Sequence, residues 1–563
     1  MKWRFALAPA LLLVALGLLV RTSSDDNSVT MDESAHLPLG LAALRTGNPG
    51  YALMHGPLPQ LLAAWPLRSD PEVRCELPLP RDDTDFWLAA KTFQEQNPSL
   101  YLDIFRRARV PNLILALLLG LLIYLWASAR ADRLTGLLAL FFFALCPNLI
   151  AHAGLATTDL AVTAFSVAFV AGLWFYLQRP SWTRLIPAGA ALGAALLSKY
   201  TGGLFVFLAP LLLFWGAPKD RPRLPAAFGL GRQGRWTGTI IAFLALGGVA
   251  WLVVLLGYHV DHPFTPLGAF TFKSAFWQGL QAALPGWLPV PFPRQLIIGI
   301  DLQSFDIARP WPLYLLGRLS TRGWRYYQLV VLLYKLPLAL LIALALGLPA
   351  GAQTFLKGRR HSCLRRELLW TLFPALAWIA ALSFLGSSQF GVRLLLPAFP
   401  FLQIFAAETL ARWLRRSCWS QSLALVLLIW YAADAGQAYP FYLSYFNRLA
   451  GGPGHPNHGQ EILLDSNLDW DQDWLRLARW QERRRVEEIR YAQFGVISPE
   501  VYGVKGRPLG CGPVRGYVAV SVNLIFGLDP AHLQGPCYTW LRYREPLDKI
   551  GSSIWIYHFG SAG

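Results

Sequence analysis

The sequence predicts a polytopic α-helical membrane protein with a long first outer loop and a small α/β domain at its C-terminal end. Three observations carry that prediction. The 563-residue chain is 54% hydrophobic and only 15% charged, with a mean hydropathy of +0.37. Its apolar residues gather in about eleven runs near bilayer-spanning length. Its cations recur on alternate connections between those runs, as cytoplasmic loops require.

The runs fall at about 5–20, 110–128, 134–150, 161–178, 184–198, 203–217, 238–258, 327–349, 368–386, 394–410 and 420–437. The first follows "KWR" but has no small-x-small cleavage site before Arg21, so it reads as a retained helix with a cytoplasmic N-terminus. Lys2 and Arg4 precede it; Arg130, Arg133, Arg179, Arg184, Lys219, Arg221, Arg223, Arg232 and Arg235 follow on the same side. Lys357, Arg359, Arg360, Arg365, Arg366, Arg412, Arg415 and Arg416 continue the pattern. The net charge of +17 is therefore topology, and nucleic-acid binding is excluded as its cause.

Three pieces are expected to protrude on the outer side. Two are loops, at about 21–109 and 259–326, within a membrane domain spanning 1–437. The stretch "ESAHLPLGLAALRT" in the first loop is expected to lie along the membrane surface. The third is a domain over 438–563, where "EILLD", "EIRYAQFGV", "GYVAVSV" and "SIWIYHF" read as strands. The helical stretches "DWLRLARWQERRR" and "AHLQGPCYTWLRYRE" between them favour a largely parallel sheet with its own core. This domain is expected to cover the outer cleft and select the acceptor. Cys511 and Cys537 both fall in it and are a candidate disulfide, while Cys75 has no obvious partner.

The chemistry-bearing residues cluster on the same side. Asp32 and Glu33 follow the first run, and both a helix N-terminus and a general base at the membrane boundary account for them. His36 lies on the same helical face, four residues from Asp32 and three from Glu33. With His55 in "MHGPLP" these residues offer nitrogen and oxygen donors to a divalent metal, although no spacing here is diagnostic of one. Asp159 opens the fourth run after Thr157 and Thr158, either as a capped helix start or as a site residue.

Lys199 and Arg393 are the sole charges of their short outer loops, and Lys335 sits about two turns inside a run. Together they could bind a phosphate at headgroup level, with Arg294, Arg318 and Arg325 as weaker candidates. "LDSNLDWDQDW" has the alternating acids of a calcium loop, but Trp474 and Trp480 stand where Gly and Glu belong. It reads instead as a loop-to-helix junction.

These pieces, in this order, resemble the glycosyltransferase superfamily C, closest to bacterial family 39 enzymes related to protein O-mannosyltransferases; aminoarabinose transferases are more distant relatives. The resemblance spans essentially the whole chain. It is carried by Asp32 and Glu33, by His55, Pro57 and Leu58, by Thr158 and Asp159, and by "GWRYYQLVVLLYKLP" with Trp324, Tyr326, Tyr327, Lys335 and Pro337. Its most specific part is "YPFYLSYFNRLAGGP", followed by "ILLDSNLDWDQD". Relatives have Gly at the position of Asp471, His and Tyr where Val392 and Leu394 flank Arg393, and an aromatic at Arg325.

The resemblance implies a polyprenyl-phosphate sugar donor, a hydroxyl acceptor, inversion at the anomeric carbon, and a bacterial inner-membrane location with the active site and C-terminus outside. Asp32 would be the base with Glu33 beside it; Asp159, His55 and His36 would support base or acceptor. Lys199, Arg393, Lys335 and Arg325 would bind the donor phosphate. No cofactor is required by this chemistry, and a divalent metal stays open. Two rival readings remain: a lipid-linked sugar flippase or transporter, and a glycan ligase using a polyprenyl-diphosphate donor. The absence of an internal repeat and the gathering of charges at one face count against the transporter.

Overall fold

The computed structural model describes residues 4–216, 235–356, 362–384, 389–452, 458–529 and 537–560. The connections at 217–234 and 357–361, which carry many of the expected cytoplasmic cations, lie outside these, as does the side chain of Cys363.

All eleven apolar runs are helical, but they are not eleven straight spans. Among the described residues six helices are long and apolar enough to cross a membrane: Leu7–Asp25, Tyr101–Arg130, Asp159–Gln178, Trp236–Gly257, Val392–Trp413 and Cys418–Ala438. The third run is a pair, Arg133–Ala144 and Pro147–Ala153, bent by 65°. The eighth is sharper: Tyr327–Lys335 meets Leu338–Leu348 at 116°. Both breaks fall at a proline, Pro147 or Pro337, which lacks the N–H that would continue the helical ladder. The remaining runs form the shorter helix Trp182–Ser198 and the apolar helices Tyr200–Gly216 and Leu368–Phe384.

The helix Met31–Thr46 does not lie on a surface. Every residue from Glu33 to Ala43 is buried. Past its acidic first turn Ala35, Leu37, Leu39, Leu41 and Ala42 spread around the helix with His36 buried among them, so the body of the helix has no face suited to water. It is enclosed by the segment that follows it, including the helices Pro57–Ala64, Asp83–Gln96 and Tyr101–Ala108.

The C-terminal sheet has five strands, in the order Gly506–Pro508, Ile489–Ala492, Gly516–Ser521, Ile554–Phe559 and Asp548–Ile550. Its first three strands run parallel, and the last two join by antiparallel pairing. The expectation of a largely parallel sheet is thus corrected to a mixed one. "EILLD" is not a strand; Gly459–Glu461 is a single 3-10 turn. Cys511 and Cys537 are bonded.

This sheet does not keep its core to itself. Side chains alternate across it with a period of two. Ala519, Ile554 and Ile556 pack into one cluster with Leu37, Phe93, Tyr101 and Trp474. Val518, Val520, Trp555 and Tyr557 join the large cluster that continues into the membrane helices. The domain is therefore built into the long first loop on one face and onto the helical body on the other.

Candidate active site

Asp32 stands in the first turn of Met31–Thr46, and its Oδ2 accepts from Arg393 Nη1. Both side chains keep some exposure, 19% for Asp32 and 13% for Arg393. Arg393 belongs to the 3-10 turn Val392–Ala398, and its guanidinium carbon lies 4.6 Å from the centre of the Trp470 ring. A second pair lies beside it: Lys199 Nζ donates to Asp159 Oδ1 at 2.6 Å. The other oxygen, Asp159 Oδ2, is buried without a partner. Asp159, Lys199 and Arg393 line one narrow cleft, together with Val162, Thr201, Trp378, Leu382 and Pro397. A second narrow cleft is lined by Tyr314, Tyr327, Gln389, Asp465 and Leu528. Burial raises the Asp465 carboxyl, against the opposing charge of Arg393.

Local structure explains how these groups arrive. Asp159 begins its helix without a side-chain cap from Thr158, and Thr157 Oγ1 is buried unpaired, so neither threonine caps it as the structural reading expected. Its turn is instead pinned from outside: Glu33 Oε1 accepts the Ala156 N–H at 2.7 Å, and Asn112 Nδ2 donates to the Thr157 carbonyl at 3.2 Å. Lys199 ends the helix Trp182–Ser198, which "MHGPLP" approaches so closely that a Cβ on Gly56 would collide with the Leu197 carbonyl.

Glu33 is held very differently from Asp32. Its oxygens accept from Thr30 N and Oγ1, from Arg109 Nε and Nη2, and from Ala156 N. Burial alone would raise its carboxyl; the Arg109 charge and these hydrogen bonds outweigh burial and hold it below the usual carboxylate range. Arg109 also donates to the carbonyls of Ser24, Asn27 and Ser28. Glu33 therefore ties the first span, the Asp32 helix and the Asp159 turn together.

His36 and His55 pack edge to face, with ring centroids 4.8 Å apart, and both lean on Phe86. Gln60 Nε2 stands 3.2 Å from His36 Nδ1. Burial pushes His36 down to about 4 against the pull of Asp32 and Asp159, so the ring is neutral at ordinary pH. His55 is likewise lowered, by burial and by the neighbouring His36, Lys199 and Arg393. No group of three or more potential ligands converges for a metal ion among the described residues.

Two expected phosphate ligands are placed elsewhere. Lys335 is fully buried, and its Nζ donates to the carbonyls of Asn467 (2.8 Å) and Leu443 (3.2 Å), over the Phe446 ring. Arg325 is exposed and lines neither cleft. Conversely, sequence reasoning missed Arg109, which it placed at the end of a loop, and His152, whose ring faces Trp470 with Nδ1 buried and unpaired. Neither has a local motif; Arg109 is the last of three arginines, with Arg106 and Arg107, just ahead of an apolar run, and nothing in the sequence sets it apart from them.

Residues 99–249 match the family described as dolichyl-phosphate-mannose-protein mannosyltransferase. Over these residues the match agrees with the resemblance to enzymes related to protein O-mannosyltransferases. The match contains Asp159 and Lys199 and lies between Asp32 and Arg393 in the sequence. No curated protein sequence matches the chain. Among solved structures, ArnT from Cupriavidus metallidurans bound to undecaprenyl phosphate is 13% identical, covers 97% of each chain and superposes with a TM-score of 0.45. The apo form of that protein covers 77% of this chain and 69% of its own, at 13% identity and TM-score 0.45. The oligosaccharyltransferase AglB from Archaeoglobus fulgidus, in complex with an inhibitory peptide and a dolichol-phosphate, is 11% identical, covers 92% and 69%, and also gives 0.45.

Proposed function

We propose that the chain is an inverting glycosyltransferase that moves a sugar from a polyprenyl-phosphate carrier to an acceptor hydroxyl at the outer face of the membrane. The observation that carries this reading is that two carboxylate–cation pairs, Asp32 with Arg393 and Asp159 with Lys199, present both cations to one cleft whose lining, apart from Asp159 and Thr201, is otherwise apolar. The donor's phosphodiester, entering that cleft, competes with Asp32 for Arg393 and with Asp159 for Lys199, and it leaves as a phosphate monoester. Asp32, released from its partner, takes the proton of the acceptor hydroxyl as that oxygen attacks the anomeric carbon. The carbon–oxygen bond to phosphate breaks with its electron pair on the phosphate, and Arg393 and Lys199 stabilise the growing charge. Attack opposite the leaving phosphate inverts the anomeric centre.

In this scheme Asp159 holds Lys199, and Glu33 holds the backbone that carries both acids. The neutral rings of His36 and His55 fill the space behind Asp32. The alternation of cations along the chain supports an outer-face site in a bacterial inner membrane. The matched family is named for dolichyl-phosphate mannose, which makes a polyprenyl-phosphate mannose the first donor to supply.

The test uses purified protein in lipid with radiolabelled undecaprenyl-phosphate mannose and a mixed acceptor extract. Asp32→Asn should abolish label transfer while donor binding survives. Equal transfer by both proteins removes Asp32 from the mechanism. Label moved between leaflets without transfer, by either protein, replaces the transferase with a lipid-sugar transporter.

A further inference from the structure

The segment Asp465–Asp473, set aside above as a failed calcium loop, holds the backbone on both sides of the Asp32–Arg393 pair. Asn467 Oδ1 accepts the Val392 N–H at 2.9 Å, one residue before Arg393. The main-chain carbonyl of the same residue accepts from Lys335 Nζ. Ser466 Oγ donates to the Phe390 carbonyl at 2.6 Å. The Trp470 carbonyl accepts the Met31 N–H at 3.2 Å, one residue before Asp32, and the Gln472 carbonyl accepts the Ser28 N–H at 2.9 Å. The Trp470 ring lies against the Arg393 guanidinium.

We infer that Asn467 and Trp470 are positioning residues that set the Asp32–Arg393 pair, so the C-terminal segment is part of the catalytic frame and not merely a cover over it. Proximity alone would not carry this; the local backbone does. Gly391 has φ +93°, and a Cβ there would stand 2.7 Å from Asn467 Nδ2, so the chain before Arg393 is shaped to receive that amide. The Val392 amide opens a 3-10 turn and has no partner within it, so Asn467 supplies the bond the turn lacks. Trp470 gives Arg393 an aromatic face, which fixes the plane of a guanidinium whose edge bonds Asp32. The bonds to Met31, Ser28 and Lys335 come from carbonyls, which any residue could provide. The two side chains are therefore where substitution can be decisive.

The inference rests on the proposed roles of Asp32 and Arg393, and its test separates the two claims. Amide hydrogen exchange is measured on the full-length protein in lipid nanodiscs, alongside titration with undecaprenyl phosphate. In Asn467→Ala, exchange in peptides spanning 390–393 should rise about threefold or more, the worth of one hydrogen bond. The strands Gly516–Ser521 and Ile554–Phe559 should keep their protection. Trp470→Ala should weaken undecaprenyl-phosphate binding about tenfold, and Trp470→Phe should restore most of it. Unchanged exchange at 390–393 overturns the inference. So does a rise that spreads equally through the sheet, because Asn467 then supports the whole domain and not the site. Equal binding by Trp470→Ala and wild type overturns the role of the ring. If wild type binds no undecaprenyl phosphate, the donor reading fails by itself, and exchange still decides the positioning claim.

Discussion

Asp32 and Glu33 are neighbours in sequence with opposite environments. Glu33 is fully enclosed and accepts five hydrogen bonds, three of them from groups other than its arginine. Asp32 retains exposure and is held by one cation, which also lines a cleft. A carboxylate with every lone pair engaged cannot take a proton from a substrate without dismantling its surroundings. One with a single, exchangeable partner can. The adjacent acids thus divide the work of the motif: Glu33 fixes the backbone, and Asp32 is left available.

The comparison is broken most directly by paired substitutions. Asp32→Asn should lower transfer by roughly 10²–10⁴-fold, the usual worth of a general base, with little change in the thermal midpoint. Arg109→Met should do the reverse in kind. It leaves Glu33 as an uncompensated buried charge, a loss of about 3–5 kcal/mol that thermal unfolding in detergent or nanodiscs would register. Should Arg109→Met melt like wild type while Asp32→Asn unfolds, the roles assigned to the two acids are exchanged.

Much of this was legible before any coordinates. Helical runs, the grouping of Asp32, Asp159, Lys199 and Arg393, and the family resemblance all came from hydropathy, cation alternation and motif order. The bends at Pro147 and Pro337 were missed because hydropathy windows read through a proline. The helix Met31–Thr46 was put on the membrane surface because an acidic first turn before an apolar body looks amphipathic; its enclosure depends on distant segments. The partners of Glu33 and Lys335 lie 76 and 132 residues away in Arg109 and Asn467, and the latter bond uses a carbonyl, which leaves no trace in residue type.

The two lysines extend the same contrast. Lys199 shares the cleft with Arg393, whereas Lys335 donates to two carbonyls with no exposure. Lys199→Gln should weaken undecaprenyl-phosphate binding by about tenfold or more, the scale of one charge-assisted hydrogen bond. Lys335→Met should cost less affinity and act mainly on the melting temperature. A larger affinity loss from Lys335→Met would return that lysine to the phosphate site.

The smallest effect concerns Asp471, which stands where the resemblance implies glycine. Its φ of +71° explains the glycine, since that backbone region suits residues without a Cβ, and Asn or Asp next. The carboxylate accepts from Trp474 Nε1 at 3.2 Å and from the Gly495 N–H at 3.1 Å, yet burial still raises it to about 6. A folded value above the unfolded one means that the native state holds the proton more tightly. The stabilisation is complete below about pH 4 and is lost as pH rises through about 6. Asp471→Asn keeps the shape and the acceptor oxygen but cannot ionise. Its melting temperature should match wild type near pH 4 and exceed it by roughly a few degrees at pH 8. Slope left in the variant comes from the other shifted groups, among them the raised Asp465, the lowered His36 and His55, and Asp469, which burial and the charge of Asp471 also raise and which accepts from Ser521 Oγ. A difference between variant and wild type that stays constant from pH 4 to 8 would mean that Asp471 is solvated, and that the segment holding Asp32 and Arg393 is looser than its hydrogen bonds imply.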